Sequence, residues 1–407
     1  MAWLRMSRET RKDLLEGTAS LMLCNVGDYI SGFFLQLSEP IIRSAHALLA
    51  LLPAASDARG DVYSSYGSRL GTLLHLGLFK RHYRGELLAL ITLLIAVNLW
   101  VGLLVVVIND LLAGQKMNPI DIPFIALFSA SLAALMMIPS TTWLAVTSFR
   151  RGLDPDNLVS PIATLFGDMV TIPTIIAGYL VAVNTPTEGK IAFIAASAAA
   201  LLTVTAYLVL GARRGRQEMR RAVRIIKENL TVIMISTLLS ALAGVVLVDN
   251  IQSILSWKGV LAVVPAFLED GGAIACRFSS RLATMLHLGR VRLSRLPRDR
   301  WVLVQFGINM FHALLIFTSL GAFGAFISIA SGGSIGEAAA VFTVVLAAGI
   351  VLAATVSLLT YYLAMASFIL GIDPDNTLAP ILTSIADILG TTSLAAMIIL
   401  ASGALLV

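Results

Sequence analysis

Residues 152–168 read GLDPDNLVSPIATLFGD, and residues 371–387 read GIDPDNTLAPILTSIAD. The two stretches align without a gap, and nine residues of the first recur in the second, seven of which are polar residues or prolines. Asp154, Pro155, Asp156, Asn157, Pro161, Thr164 and Asp168 correspond to Asp373, Pro374, Asp375, Asn376, Pro380, Thr383 and Asp387. Each copy runs into an apolar segment long enough to cross a bilayer. The duplication therefore predicts a membrane protein of two equivalent halves, each with an aspartate inside an apolar helix.

The composition of the chain is that of a membrane protein. Its 407 residues are 57% hydrophobic and 13% charged, whereas soluble domains carry about 25% charged residues. Apolar runs of about 20 residues recur throughout and are continuous rather than alternating, which favours helices over a transmembrane β-barrel. The net charge of +5 comes from basic residues in short loops, so it indicates membrane orientation and not nucleic-acid binding. We predict an all-α polytopic membrane protein whose environment is the lipid bilayer.

A second repeated segment defines the halves. SRLGTLLHLG at 68–77 recurs as SRLATMLHLG at 280–289, and each copy precedes a copy of the DPDN motif. The spacing predicts a first five-helix repeat over residues 1–188 and a second over residues 213–407. An alanine-rich run over residues 189–212, in which Lys190 is the one charged residue, is predicted to be a linker transmembrane helix, which makes eleven spans.

The distribution of Lys and Arg predicts the orientation in the cell membrane. An N-terminus in the cytosol and a C-terminus outside place most basic residues, and both DPDN loops, on the cytosolic side. Each half has five helices, so without a further crossing the second half would insert upside down. The linker helix adds that crossing, and the two halves then insert in the same orientation. They are therefore expected to be parallel repeats about a pseudo-twofold axis along the membrane normal. Since one chain contains both halves, we expect that a monomer can function.

The two motif aspartates are the leading candidates for an ion site. An Asp-Pro pair starts a helix well, although Ser160-Pro161 offers a later start. Thr164 and Asp168 are four residues apart and so share a helix face. An acid inside a membrane span costs about 2.5–3.5 kcal/mol on insertion scales, and such acids usually line an ion path or face the bundle interior. The alternative is that the acids are structural and satisfied by neighbouring helices.

The chemistry of this motif favours a hard divalent cation. Two carboxylates facing each other across an axis repel, and a cation between them removes the repulsion. Mg²⁺ keeps several waters and uses one or two carboxylates, and the motif contains no His or Cys that would favour zinc or copper. The predicted metal ligands are Asp168, Asp387, Thr164 and Thr383. No organic cofactor is expected.

Further polar residues are weaker candidates, and each has a structural alternative. The other motif residues either attract cations to the pore mouth or only cap helices: Asp154, Asp156, Asn157, Asp373, Asp375 and Asn376. A helix break is predicted at Arg59-Gly60. The acids near it and near its repeat are candidates for a second cation site: Asp57, Asp61, Glu269 and Asp270. The alternative is that Arg59 simply neutralises Asp57 or Asp61. Candidate pore-lining residues are Asn98, Asn309, Gly60 and Gly272; the two asparagines are alternatively inter-helix hydrogen bonders. Snorkelling to the cytosolic interface is expected for Arg69, Arg281, His75 and His287.

At these motifs the sequence resembles the MgtE-type magnesium transporters, and more closely their two-repeat branch, solute carrier family 41. The resemblance rests on DP-x-N-x₃-P-x₂-T-x₃-D and on SRL-x-T-x-LHLG, each present twice. It implies transport of Mg²⁺ or other divalent cations through a pore between the repeats, with Asp168 and Asp387 as the central ion site. It does not extend to the cytosolic regulatory domains of bacterial members. The Gly-Gly-Asn signature of those members is altered here, at residues 59–61 and 271–273.

Two alternatives concern the mechanism. Within transport, the sequence does not separate a passive channel from an exchanger coupled to Na⁺ or H⁺. From another class, an intramembrane aspartyl protease also needs two membrane aspartates. Those enzymes carry Tyr-Asp and Gly-x-Gly-Asp elements, whereas Asp168 follows Phe-Gly and Asp387 follows Ile-Ala. We therefore expect a transporter and not an enzyme.

Overall fold

The computed structural model of the chain describes residues 8–108, 110, 117–152, 155–289, 291, 297, 299–370 and 374–405. The thirteen elements identified within them are all helices, which confirms the all-α prediction. They are α1 (Arg8–Leu37), α2 (Glu39–Ser44), α3 (Ala47–His75), α4 (Phe79–Ile108), α5 (Asp121–Arg150), α6 (Pro155–Asn184), α7 (Thr187–Arg213), α8 (Gln217–Asp249), α9 (Ile251–Ser256), α10 (Val260–His287), α11 (Arg300–Ala330), α12 (Ile335–Ile369) and α13 (Pro374–Leu405).

The helices form two compact units. Unit 1 consists of Met1–Leu37 and Asp249–Val407, and unit 2 consists of Ser38–Val248. In unit 2, α3 packs against α4, α5 and α6; in unit 1, α10 packs against α1, α11, α12 and α13. Each unit therefore surrounds one central helix, α3 or α10, and these are the helices that carry the two SRL segments.

The first helix of each predicted repeat packs in the unit that contains most of the other repeat. Helix α1 opens the first predicted repeat but packs in unit 1, and α8 opens the second but packs in unit 2. A small residue allows the same close contact in both units. Gly244 of α8 meets the Ala50 backbone, and Gly32 of α1 meets the Ala262 backbone, so a side chain at either glycine would collide. The predicted boundaries describe the sequence repeat, whereas packing follows the exchanged pattern.

Eight helices are long and apolar enough to cross a membrane, namely α4, α5, α6, α7, α8, α11, α12 and α13, counted over the residues that the structure describes. This set is typical of an integral membrane protein. Helices α1, α3 and α10 are also 28–30 residues long, but buried polar residues such as Asp28, Arg59 and Asp270 interrupt them. The count of eleven spans therefore stays a prediction.

Helix α7 occupies the place of the predicted linker. Its apolar segment is only 6% buried, and an apolar surface of this extent is typical of a contact with membrane or protein. At its start Lys190 Nζ forms an ion pair with Asp121 Oδ1 of α5 at 2.6 Å. The helix is therefore attached to unit 2 at one end, while most of its apolar segment is exposed.

Two local predictions about helix ends are resolved. Both motif helices begin at the proline of Asp-Pro, Pro155 in α6 and Pro374 in α13, so the alternative start at Ser160-Pro161 is wrong. The predicted break at Arg59-Gly60 is also wrong, because α3 is continuous from Ala47 to His75. A helix tolerates a glycine for roughly 1 kcal/mol, and close packing against α6 compensates for that cost.

Candidate ion-binding site

In unit 2 the motif aspartate lies between α6 and α3. The hydroxyl of Ser56 donates a hydrogen bond to Asp168 Oδ1 at 2.8 Å, and Asp168 is buried. One turn earlier on α6, Thr164 faces Gly60, since a β-carbon added to Gly60 would lie 3.6 Å from Thr164 Cγ2. The two helices therefore run antiparallel here. Thr164 and Asp168 share the face of α6 that packs on α3, as their spacing predicts.

In unit 1 the same pairing recurs between α13 and α10. A β-carbon added to Gly272 would lie 3.0 Å from Thr383 Cγ2 and 3.3 Å from Thr383 Cα. Asp387 lies one turn further along α13 and is also buried. Glycine is needed on α10 at this point because the backbone of the motif helix comes so close. Gly60 and Gly272, predicted as pore-lining residues, thus lie against the motif threonines.

The central helices α3 and α10 place different side chains at the positions near the two aspartates. Leu268 stands at the position in α10 that corresponds to Ser56 in α3, and Gly271 stands where α3 has Arg59. The space beside Gly271 is taken by Leu352 and Ala386. Asp387 therefore has neither the serine nor the arginine equivalent that accompanies Asp168. The threonine and aspartate of the motif helices recur in both units, whereas the residues of the central helices near the aspartates differ.

Arg59 is the most deeply buried cation of unit 2, with 0% of its surface exposed. Its guanidinium donates to Ser129 Oγ at 2.7 Å and to Thr174 Oγ1 at 2.9 Å. It also interacts electrostatically with Asp168. The structural alternative in which Arg59 neutralises Asp57 or Asp61 is not observed, since the hydrogen bonds of Arg59 go to α5 and α6. The negative charge of Asp168 is thus partly balanced by a cation of the protein itself, Arg59.

Asp57 and Asp61 face α8 instead. Asp57 accepts a hydrogen bond from Ser240, and Asp61 Oδ2 accepts one from Ser236 Oγ at 3.0 Å. One turn further, Ser65 Oγ donates to Asn229 Oδ1 at 2.9 Å. These acids have serine donors on the exchanged helix, which favours a structural role for them over cation binding.

The corresponding surface of unit 1, between α1 and α10, is built differently. Asp28 of α1 and Asp270 of α10 are buried, and the carboxylates of Asp28, Glu269 and Asp270 are close enough to repel one another. Asp28 stands where α8 has Ser240. A serine that donates in unit 2 is therefore replaced in unit 1 by a further carboxylate.

Asn25 adds a buried amide to this group of acids. Its side-chain nitrogen and oxygen have no hydrogen-bond partner, although the residue is 1% exposed. The contacts Gly17–Arg277 and Gly32–Ala262 show that α1 and α10 are antiparallel, and this register places Asn25 level with Glu269. Asp270 Oδ2 also lacks a partner. Buried polar atoms are rarely left without partners, so this group has unused ligand capacity.

Of the two candidate asparagines, Asn309 connects helices of unit 1. It accepts a hydrogen bond from Arg277 at 2.8 Å and donates to Ser357 at 3.2 Å. Asn98 donates to Leu94 O in its own helix at 2.9 Å, and its Oδ1 has no partner. The hydrogen-bonding alternative thus describes Asn309, while Asn98 retains a buried acceptor. Pore lining by either residue stays a prediction.

Arg69, which was expected to snorkel to the cytosolic interface, forms an ion pair within unit 2. Arg69 Nε pairs with Glu86 Oε2 at 2.8 Å, and Arg221 Nε pairs with Glu86 Oε1 at 2.9 Å. Glu86 itself is 1% exposed, and a buried carboxylate needs partners of opposite charge. Snorkelling of Arg69 stays a prediction. No sequence motif marks Glu86.

Several predicted residues lie outside the described part of the chain. Asp154 and Asp373 precede the described starts of α6 and α13, and the side chains of Asp156, Asn157, Asp375 and Asn376 are likewise not described. Within the described residues, no group of three or more His, Cys, Asp or Glu side chains is arranged to hold a metal ion. Any ion at these acids would thus be held by one or two carboxylates, with other oxygens or water completing its shell.

Asp28, Arg59 and Glu86 are buried charged residues whose environments are not apparent from the sequence. Asp28 is the one charged residue of the apolar segment 18–38, and that is a signal by which it could be found. Arg59 and Glu86 have charged neighbours in their own helices and carry no such signal. Which partner each one takes depends on helices that are distant in the chain. Ser129 and Thr174, for example, lie 70 and 115 residues from Arg59.

The chain is similar to members of solute carrier family 41. The chain is 24% identical over 395 residues to solute carrier family 41 member 3 of Mus musculus, with 92% of this chain and 80% of the relative covered. It is 24% identical over 396 residues to the Rattus norvegicus protein of the same name, with 92% and 84% covered. Solute carrier family 41 member 2 of Xenopus laevis is 22% identical over 290 residues, with 68% and 50% covered. No solved structure gives a significant match.

The profile of a transporter family matches the chain twice. The family is MgtE, described as divalent cation transporter, and the matches cover residues 52–178 and 264–397. Together they include more than half of the chain, and they contain both motif aspartates and both central-helix glycines. Members of this family are transporters rather than enzymes. The chain belongs to the MgtE family of divalent cation transporters.

Proposed function

We propose that this protein transports Mg²⁺ across the membrane and that Asp168 and Asp387 bind the ion during passage. One observation carries the proposal. In each unit a buried aspartate lies one turn from a threonine that meets a glycine of the central helix. Packing alone does not require an acid at this position twice, because an isolated buried carboxylate is costly. A transported cation gives both acids a purpose.

The donor set supports Mg²⁺ over softer metals. The side chains of the motif helices around the acids offer carboxylate and hydroxyl oxygens, from Asp168, Thr164, Asp387 and Thr383, and no imidazole or thiolate. Oxygen ligands suit Mg²⁺, Ca²⁺ and Mn²⁺, and a site with few carboxylates suits an ion that keeps much of its water. The partial charge balance that Arg59 gives Asp168 also limits how tightly a cation is held, which a transport site needs for release.

The finer features of the transport path remain proposals that rest on the sequence repeat. They are a pore shared by the two repeats, eleven spans, a cytosolic N-terminus with an external C-terminus, and function as a monomer. The remaining motif acids are proposed to draw cations toward that path.

A flux measurement tests the function. Purified protein is reconstituted into liposomes that contain a magnesium-sensitive dye, and external Mg²⁺ is added with and without Na⁺ and pH gradients. We expect a dye response in protein-containing vesicles and none in empty ones. A response only under one gradient would identify an exchanger, and a response without gradients a channel. Absence of flux under all conditions would overturn the proposal, and a substrate-cleavage assay in detergent would then test the protease alternative.

We further propose a second cation site in unit 1, formed by Asp28 with Glu269 and Asp270. The three mutually repelling carboxylates and the unpartnered amide of Asn25 support it. Two of the acids with this amide suffice for a partly hydrated Mg²⁺, which does not require a cage of three carboxylates. The site would lie outside the motif helices and would load or hold an ion before passage.

Replacing Asp28 by asparagine tests the second site. We expect Asp28→Asn to raise the melting temperature in EDTA by about 2 °C, because it removes one of three repelling charges, and to reduce the additional rise that saturating Mg²⁺ produces. Thermal unfolding followed by tryptophan fluorescence measures both. Asp57→Asn is the matched control, since Asp57 already has a serine donor, and it should not raise the melting temperature. A lower melting temperature of Asp28→Asn with an unchanged Mg²⁺ response would identify Asp28 as structural.

A further inference from the structure

A basic cleft lies in unit 2 between the end of α3 and the first turns of α8. It has a volume of about 430 Å³, and the side chains that line it are mostly long and charged: Arg69, Gln217, Arg220, Arg221, Arg224 and Glu228. None of these residues belongs to the proposed ion path. A cleft with four arginines is the opposite of a cation site, and the transport function gives it no role.

The positive charge of the cleft exceeds what the neighbouring acids neutralise. Glu86 pairs with Arg69 and Arg221, and Glu228 is the other carboxylate at the cleft. Four guanidinium groups therefore face two carboxylates. Arg69 Nη2 is buried without a hydrogen-bond partner. An unused donor beside uncompensated positive charge indicates room for an anion.

The arginines are also held in position. Glu86 holds the guanidinium groups of Arg69 and Arg221 through ion pairs. Arg220 Nε donates to Ala212 O at 3.0 Å. Helix α8 begins at Gln217, so the positive end of a 33-residue helix lies at the same place. Guanidinium groups that are already oriented bind phosphate oxygens in pairs with little further loss of entropy.

Neighbouring residues place the cleft at the boundary between membrane and water. The apolar, exposed surface of α7 ends at Arg213, four residues before α8 begins. Tyr207 near that end contacts two arginines: Arg216 donates to its hydroxyl at 3.3 Å, and Arg84 lies 5.9 Å from its ring centre. Tyrosine is typical of the interfacial belt of membrane proteins. Lipid head groups lie at this level.

We propose that this cleft binds a phosphate-bearing anion, either the head group of an anionic phospholipid or a soluble phosphate compound. Basic pockets between membrane helices at the bilayer surface are typical sites for anionic head groups. The bound group would connect the first turns of α8 to the end of α3. Because α8 also supplies Ser240 to Asp57 and Ser236 to Asp61, occupancy would stabilise the packing of α8 on α3.

A binding measurement on the full chain in detergent tests the proposal. The probes are dioctanoyl phosphatidylglycerol, inorganic pyrophosphate and dioctanoyl phosphatidylcholine, and ligand retention is measured by native mass spectrometry. We expect the double variant Arg220→Gln/Arg224→Gln to bind the preferred anion about 30-fold more weakly, since each basic residue near an anionic group contributes about a factor of five. Both side chains are exposed, so the fold should persist.

The matched control is Arg213→Gln/Arg214→Gln, which removes the same charge from the neighbouring end of α7, outside the cleft. Its affinity should remain within about threefold of wild type, as expected for a long-range effect screened by salt. Binding of phosphatidylglycerol without pyrophosphate would identify a lipid site, and binding of pyrophosphate a soluble phosphate ligand. Equal losses in both double variants, equal binding of phosphatidylcholine, or no binding of either anion would overturn the proposal. These results do not depend on whether the protein transports Mg²⁺.

Discussion

Asp168→Asn and Asp387→Asn are each expected to reduce Mg²⁺ flux by at least about tenfold. Each substitution keeps the size of the side chain and removes a charge that the ion would contact. Changes in outer-shell partners already cost about 10- to 100-fold in metal affinity, so the loss of a direct ligand should cost at least as much. Flux into proteoliposomes measures the effect, and size-exclusion chromatography confirms that the variants remain folded. Asp249→Asn, the same change at the exposed end of α8, is the control and should transport normally.

Arg59 makes it possible to separate ligand loss from charge imbalance at Asp168. Asp168→Asn leaves a fully buried guanidinium without the carboxylate that it attracts, and this alone would repel cations. The double variant Asp168→Asn/Arg59→Met removes both charges. If Asp168 is an ion ligand, the double variant stays inactive; if its role is to balance Arg59, flux returns. Normal transport by both single aspartate variants would disprove the ion site and leave Asp28, Glu269 and Asp270 as the candidates.

Glu86→Gln is expected to cause the largest loss of stability in unit 2. The substitution leaves Arg69 and Arg221 beside a neutral amide, and breaking a buried ion pair by removing one partner costs about 3–5 kcal/mol. The melting temperature in detergent should fall by roughly 10 °C. Thermal unfolding monitored by tryptophan fluorescence, together with the monodisperse fraction on size exclusion, measures this effect.

The control for this prediction is Glu39→Gln in α2. Glu39 also forms an ion pair with an arginine, Arg43, at 2.7 Å, but the side chain of Arg43 is 50% exposed. Exposed pairs contribute about 0–1 kcal/mol, so the melting temperature should change by no more than about 2 °C. A melting temperature of Glu86→Gln as close to wild type as that of Glu39→Gln would show that the buried cluster does not stabilise the unit.

Much of the fold and part of the site follow from local sequence. The continuous apolar runs predict helices, and the Asp-Pro pairs predict where α6 and α13 begin, because a helix start depends on the few residues beside it. The four-residue spacing predicts that Thr164 and Asp168 share a face for the same reason. The prediction of a break in α3 was wrong because a glycine permits a break without requiring one. Packing of Gly60 against Thr164 favours a continuous helix.

The choice of partners for the buried charges had no local signal. Arg59 has an aspartate two residues away on either side in the sequence, yet its donors go to α5 and α6. Asp28 is one acid in an apolar helix, and its neighbours are about 240 residues further along the chain. Such pairings depend on which helices meet, and helix contacts are set by shape over whole surfaces rather than by single residues.

The sequence by itself determined the helical class, the internal repeat and the family, because periodicity and repeated motifs are properties of short segments. Only the tertiary structure decided which unit α1 and α8 pack in, that Arg59 is buried next to Asp168, and that Glu86 forms an ion pair with Arg69. The physical reason is that a buried charge takes whatever partner the packed helices bring within hydrogen-bonding distance, and that distance is independent of separation along the chain.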